Sequence, residues 1–305
     1  MTSRPYEATE HDFTVDTTRP VLDRACRAAG LNNRHVSLLR HHSNAVYLVG
    51  QPPRQVVVKI GRPRPDRARD LHDARAMVEL TGWLSRHGVP ATGLLDTIAQ
   101  PLHINGHVVT LWHYLPQHRP MSTAAMAAPL RALHEAPLPP IARPRLDPHA
   151  AITRSIAASR ILSTRQQTLL LDRLDRLTPV AAALRTTPPR LIHTDPQHRN
   201  TLWRAHDQAV LCDLDDVTVG PVEWDLVTIE IHCRRFGHSD YDAFCRAYGR
   251  DVRDWSGYRA LRDLRELRMV TTNARKSAPN THQAAEVLRR IERLDGAADE
   301  RWRIL

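Results

Sequence analysis

Apolar positions along the chain change their period more than once. Residues 20–30, PVLDRACRAAG, space their apolar groups as a short helix, opened by Pro20 and ended by Gly30. Two runs rich in β-branched residues follow, HVSLLRHHSNAVYLVG and RQVVVKIG, each closed by glycine; together they predict a β-hairpin. From 70 to 87, apolar residues at 71, 74, 77, 78 and 84 form a helical stripe that stops at Gly88-Val89-Pro90. HINGHVVTLWHYLP predicts a second hairpin, turning at Asn105-Gly106, a pair that tolerates positive φ.

After Pro116 the alternation gives way to helical spacing. Residues 122–135, 150–162 and 164–186 predict helices, with APLPPIARPRLDP between the first two as a rigid connector. Short strands are expected at 190–193 and 209–213, and helices from there onward. The last, around AAEVLRRIERL, places Val287, Ile291 and Leu294 on one face. The expected fold class is α+β: a small β-rich lobe with one main helix, joined to a larger, mostly helical lobe.

Composition narrows the function classes. No apolar run is long enough to span a membrane, and MTSRPYEATEHDFTVDTT lacks the apolar centre of a secretory signal, so a soluble, cytoplasmic protein is expected. Cys26, Cys212, Cys233 and Cys245 form no CxxC pair; neither a zinc site nor a disulfide framework is expected. The 43 bases against 33 acids leave a charge of +10, which keeps nucleic acid in view. The arginines are nevertheless dispersed and aromatics amount to only 5%, so no base-stacking surface is expected. Only two of the cations are lysine, Lys59 and Lys276, and Lys59 stands inside an apolar strand, VVVKI.

The stretch RLIHTDPQHRNTLWRA (190–205) crowds polar groups between two apolar shoulders. His193, Asp195 and Asn200 read H-x-D-x-x-x-x-N, and VLCDLDD follows with Asp213 at the tip of a strand. Phosphoryl transfer from a nucleoside triphosphate needs such a set, because it depends on positioning and cations more than on covalent help. A strand lysine can hold phosphates as a point charge. An Asn oxygen and an Asp carboxylate on adjacent strands can hold Mg²⁺. Asp195 can orient the acceptor hydroxyl and take its proton, while His193 orders the loop by hydrogen bonding. A lone D-x-x-x-x-N is a weak signal and a lone strand lysine ordinarily snorkels to the surface; the ordered set is strong. Asp215 and Asp216 read equally well as solvated turn residues or functional carboxylates. His41, His42, His198, His232 and His238 show no ligand spacing and are expected to pack.

In HTDPQHRN, CDLDDVTVGPVEWDL and the strand lysine the chain resembles the aminoglycoside phosphotransferase family, from about Val36 to Lys276. The resemblance implies a bilobal, protein-kinase-like fold: a nucleotide-binding lobe over 1–112, a hinge at 113–118 and a helical catalytic and substrate lobe over 119–305. It implies Asp195 as catalytic base, Asn200 and Asp213 as magnesium ligands, Lys59 as phosphate anchor and ATP or GTP as donor. Asp225, in EWDL, would brace the loop, and backbone groups of His113, Tyr114 and Leu115 would meet the nucleotide base. Three departures follow. Thr194 replaces the usual glycine of H-G-D, so its peptide is expected in an ordinary backbone region. Ser43 and Asn44, with Ala45, would approach the phosphates without a glycine flap. The helix glutamate expected to pair with Lys59 falls at Met77, leaving Asp73 or Glu79 as substitutes.

Only twelve positions separate Asp213 from Asp225, too few for a peptide-docking activation segment, so a small hydroxyl acceptor is expected. Residues 227–276 carry eleven bases against seven acids, which favours a neutral or anionic acceptor, such as a nucleoside- or sugar-containing antibiotic, over a polycationic aminoglycoside. Glu230, Arg234, Arg268 and Asn273 are the candidate acceptor contacts. Two other readings stay open: a metabolic kinase for choline, homoserine or a sugar amine, and a non-catalytic basic regulatory or nucleic-acid-binding protein on a kinase scaffold. The sequence leaves the oligomeric state open.

Overall fold

The computed structural model describes residues 13–238, 240–294, 296 and 300–304; most of the opening segment read above for a secretory signal lies outside them. The chain divides into two compact units, one running through His118 and taking in Pro139–Ala142, the other comprising Arg119–Leu138 and the chain from Arg143 onward. Among the described residues no helix is long and apolar enough to cross a membrane.

The first unit is an antiparallel five-stranded sheet in the order β1-β2-β3-β5-β4, with β1 Val36–His41, β2 Asn44–Val49, β3 Val56–Gly61, β4 Leu102–Ile104 and β5 His107–His113. Helix α1 (Val15–Ala28) covers one face: Val21, Leu22, Ala25 and Cys26 bury themselves against Tyr47, Val49, Val58, Ile60 and Leu111. The alternation of β3 sends Val56, Val58 and Ile60 into this core and leaves Val57, Lys59 and Gly61 on the opposite face. Asn105 and Gly106, both at positive φ, turn β4 into β5 as expected. Helix α2 (Arg67–Arg86) buries Met77, Leu80, Trp83 and Leu84 and ends before Gly88.

Two boundaries differ from expectation. The first helix starts at Val15, not near Pro20, because Thr14 and Thr17 form a reciprocal capping box; Pro20 then sits in the helix interior. The run 35–50 is itself a hairpin, β1 turning into β2 at His42-Ser43, and the second run supplies a third strand. Polar turn residues inside an apolar run mark the break.

The second unit is mostly helical. Helices α3 (Ala127–Glu135), α4 (Pro148–Ala157), α5 (Thr164–Arg176), α6 (Thr178–Thr186), α7 (Glu223–Phe236), α8 (Tyr241–Tyr248), α9 (Tyr258–Lys276) and α10 (His282–Glu292) surround a core built from Leu130, Ile152, Leu170, Trp224, Leu226, Leu264 and Leu267. The stretch 164–186 breaks into α5 and α6, since Pro179 has no N–H for the helix ladder and its ring clashes with the preceding turn. Helix α4 ends five residues early, where the Ser159 hydroxyl turns to the Ala274 carbonyl at 3.1 Å. Two small antiparallel pairs carry the polar stretch: β6 (Arg190–Ile192) with β9 (Thr218–Gly220), and β7 (Thr201–Arg204) with β8 (Gln208–Leu211). The proline-rich connector lies along β9, exchanging Leu146 N–H to Val219 O at 2.8 Å and Val219 N–H to Pro144 O at 3.0 Å.

Candidate active site

Both shoulders of the 193–200 loop are anchored. Leu191 and Ile192 are fully buried on β6, and Asn200 leads directly into β7. Pairing of β7 with β8 brings the Asn200 end of the loop beside the Asp213 end of the next strand; the Cys212 N–H donates to the Asn200 carbonyl at 2.9 Å. His193 Nε2 meets the Cys212 carbonyl at 2.9 Å, a second tie between loop and strand.

Asp225 is completely buried in the first turn of α7, where a carboxylate is favoured by the helix dipole. It accepts the N–H of His193 at 2.6 Å and of Thr194 at 2.8 Å, and lies 3.0 Å from His134 Nε2. His134 Nδ1 is in turn 2.7 Å from the Tyr248 hydroxyl. The chain Tyr248–His134–Asp225 thus holds two consecutive backbone N–H groups at the start of the loop.

That grip corrects one expectation. Thr194 does not sit in an ordinary region: its φ is +73°. A β-branched residue there costs roughly 1–3 kcal/mol. The cost is met by the carboxylate that clamps its N–H and by its hydroxyl, which donates to the Asp216 carbonyl at 3.3 Å. The backbone shape usually served by glycine is kept, with threonine strained into it.

Asp195 follows this strained peptide with its side chain 44% exposed. Its Oδ1 pairs with Arg265 Nη2 at 3.1 Å, and its Oδ2 accepts from Gln197 Nε2 at 2.7 Å. Arg265 also donates Nε to Thr228 Oγ1 at 2.7 Å and Nη2 to the Thr194 carbonyl at 3.2 Å, and stacks over Trp224 at 5.3 Å. Its burial lowers the guanidinium pKa against the pull of Asp195 and Asp225. Arg265 escaped the sequence reading, where it looks like one more arginine in an arginine-rich helix.

Asn200 is buried and donates Nδ2 to the Asp195 carbonyl at 3.0 Å, which turns its Oδ1 into the available acceptor. Asp213 adopts a left-handed conformation (φ 60°, ψ 57°) at the end of β8, opening a turn that also carries Asp215 and Asp216. Asp216, although solvent-accessible, is crowded by protein: lost hydration, then the carboxylates of Asp215, Asp213 and Asp195, raise its pKa, with Lys276 opposing. Oxygen donors alone, with excess negative charge, suit a hard divalent cation such as Mg²⁺, and Asn200 and Asp213 would be its ligands.

The other candidates belong to several elements. Lys59 is half-buried on β3 between Val46 of β2 and Thr110 of β5. On α2, Asp73 pairs with Arg64 at 2.7 Å, Glu79 is exposed and Met77 is buried in the core. Ser43 and Asn44 stand at the β1–β2 turn. His113 gives its N–H to the Gly93 carbonyl at 3.1 Å, and the Leu115 carbonyl accepts from Gln117 at 2.9 Å; Tyr114 lies between them. Glu230 and Arg234, expected at the acceptor, are held in a network: Arg234 bonds Glu230 and Glu266 at 2.7 Å each, and Arg235 bonds Glu266 at 2.8 Å. Asn273 is half-buried near the end of α9. The ring nitrogens of His198, His232 and His238, expected only to pack, come within 4.8 Å of one another, with His198 stacked on His238 at 3.7 Å.

The model of the phosphotransferase enzyme family (APH) matches residues 35–264. The chain belongs to this family. It is therefore a phosphotransferase with an alcohol group as acceptor, of the small-molecule kinase kind. Solved structures that resemble it include a microcompartment-associated aminopropanol kinase (15% identity, 92% of this chain and 96% of that one, TM-score 0.71). The choline kinase LicA from Streptococcus pneumoniae is similar at 14% identity, with 92% and 99% covered and a TM-score of 0.63. Spectinomycin phosphotransferase APH(9)-Ia, solved with ADP and spectinomycin, matches at 12% identity, 92% and 95% covered, TM-score 0.64. At such identities these likenesses establish the fold, the α+β kinase-like architecture expected from the sequence. No curated protein sequence matches the chain.

Proposed function

We propose that this phosphotransferase moves the γ-phosphoryl group of ATP or GTP onto a hydroxyl of a small molecule, an antibiotic bearing a sugar or nucleoside in preference to a polycationic aminoglycoside, for resistance or self-protection in the cytoplasm. The observation that carries the chemistry is the double hold on Asp195. Its backbone follows two N–H groups clamped by Asp225, and its carboxylate is aimed by Arg265 and Gln197. Small displacements of such a base cost large rate factors, so a rigid, buried support suits catalysis better than a regulatory scaffold.

In this reading Asp195 accepts the hydroxyl proton as the new O–P bond forms and the bond to the departing diphosphate breaks. Magnesium, when bound, would neutralise charge on the phosphate oxygens. Lys59 of the first unit would hold the phosphates as a point charge, and the backbone at Tyr114 and Leu115 would receive the base. The preference against a polycation follows from the helices after β9. There Glu223, Glu230, Asp242, Asp251, Asp263 and Glu266 are all ion-paired with arginines, so these helices offer a cationic acceptor few free carboxylates.

A thermal-shift screen tests the donor: Mg·ATP or Mg·GTP should raise the melting temperature by several degrees, and ADP or GDP should accumulate with a sugar- or nucleoside-containing antibiotic. Turnover with polycationic aminoglycosides alone would overturn the acceptor class. No stabilisation by any nucleotide would overturn the kinase reading.

A further inference from the structure

Helix α9 delivers Arg265 to Asp195, and the same side of that helix carries a series of cations. At about 100° per residue, Arg265, Arg268, Thr272, Arg275 and Lys276 fall within roughly 100° of arc. Arg268 is half-buried and donates to Ser155 Oγ at 3.4 Å and to Thr272 Oγ1, two neutral hydroxyls. Arg275 and Lys276 are exposed. Among the described residues none of these three cations forms an ion pair with a carboxylate, although Arg234, Arg235, Arg250, Arg253, Arg262, Arg289 and Arg290 all do.

A half-buried guanidinium without a counter-charge is costly unless something supplies the charge. Burial, then Arg265, Arg275 and Arg154, bring the Arg268 pKa down to about 10, with Asp216 pulling the other way. Lys276, although solvent-accessible, is crowded by protein: lost hydration and then Arg275 lower its pKa, with Asp216 and Asp195 opposing. Arg268 lies one turn, about 4.5 Å of helical rise, beyond Arg265. An anion held there is therefore within one small molecule's length of a hydroxyl at Asp195. The second lysine of the chain, unexplained by its sequence position, stands at the far end of the same face.

We propose that this face is an anion subsite of the acceptor site: the substrate is a hydroxyl compound bearing a carboxylate or a phosphate, its anion taken by Arg268 and Lys276 while its hydroxyl meets Asp195. The subsite deepens, and rests on, the assignment of Asp195 as base of a small-molecule kinase.

Matched acceptors test it: glycerol against glycerate, glycerol 3-phosphate and choline, with Mg·ATP and ADP release as the readout. One of the two anionic compounds should exceed glycerol in kcat/KM by at least tenfold, and which one does so identifies the anion. Arg268→Gln and Lys276→Gln should raise KM for the anionic compound at least tenfold with kcat changed far less, and Lys276→Glu should erase the preference. A wild-type preference for choline, or an anion-to-neutral ratio unmoved by these variants, would overturn the proposal. A turnover-free arm separates the two ideas. Inorganic phosphate or acetate should raise the melting temperature of the wild type and lose that effect in the Arg268→Gln/Lys276→Gln variant. No anion effect in the wild type, or an equal effect in the variant, sinks the subsite. Anion binding without phosphorylation of these compounds or of any sugar- or nucleoside-containing antibiotic would sink the assignment of Asp195 and leave only an anion-binding face.

Discussion

Asp225→Asn isolates the brace beneath the 193–200 loop. The wild-type carboxylate takes three polar contacts: Thr194 N–H on Oδ1, and His193 N–H and His134 Nε2 on Oδ2. An asparagine oxygen can keep the Thr194 contact, but its NH₂ then faces the His193 N–H, donor against donor. The His134 contact can survive, because imidazole can change tautomer and accept from the amide while Tyr248 reverses its hydrogen bond. The net loss is one charge-assisted hydrogen bond and one stranded buried N–H, together about 3 kcal/mol. For a chain of this size that corresponds to a fall in melting temperature of roughly 5–10 °C. Thr194 then has reason to leave φ +73°, a relaxation worth roughly 1–3 kcal/mol, and Asp195 moves with it. A shift near 1 Å at a proposed base costs on the order of 10²-fold in rate. Differential scanning fluorimetry and steady-state turnover on one preparation read both quantities, with Mg·ATP binding unchanged. A variant melting within 1 °C of wild type with more than half its kcat would refute the brace.

Thr194→Gly should be at least as stable as wild type, since relief of about 1–3 kcal/mol of strain outweighs or balances the added chain entropy and the lost hydroxyl contact. Thr194→Ala keeps the strain and loses the contact, so urea denaturation should rank it about 1 kcal/mol or more below the glycine variant; the reverse order would contradict the strain argument. Arg265→Lys cannot serve Thr228 and Asp195 with one ammonium, so kcat should fall at least tenfold with little change in Mg·ATP affinity, and an unchanged kcat would remove Arg265 from the site. Burial above all, opposed by Asp195, lowers the His232 pKa to about 3. The native state keeps this imidazole neutral while the unfolded chain binds a proton below about pH 6.5, so its contribution is full above that pH and declines as pH falls toward 3. Urea midpoints between pH 7.5 and 4.5 should drop less steeply in His232→Gln than in wild type; equal slopes would count against it.

The sequence revealed what depends on local pattern. Alternation identified the Asn105-Gly106 hairpin, and the spacing of His193, Asp195, Asn200 and Asp213 identified strands that converge at one loop. Helix spacing predicted that Val287, Ile291 and Leu294 share a buried face. Tertiary pairing stayed hidden. Arg265 lies seventy residues from Asp195, in a helix whose arginines look alike until one of them is buried against that carboxylate. Glu230 and Arg234 stand as candidate acceptor contacts, and nothing local indicated that Glu266, a helix away, would also hold Arg234. The histidine cluster draws on positions 198, 232 and 238, a spacing that matches no ligand motif. Thr194 illustrates the opposite error. Intrinsic preference argued for ordinary backbone, and two contacts from distant residues, Asp225 and Asp216, overrode it.

The central claim is that Asp195 is the base of a phosphoryl transfer. Turnover of Mg·ATP with a phosphorylated acceptor, measured beside calorimetric nucleotide affinity for wild type and Asp195→Asn, tests it most directly. The account predicts turnover reduced by about 10² to 10⁴-fold, the range of general base catalysis, with nucleotide affinity within threefold of wild type. An Asp195→Asn enzyme retaining most of its kcat would contradict it.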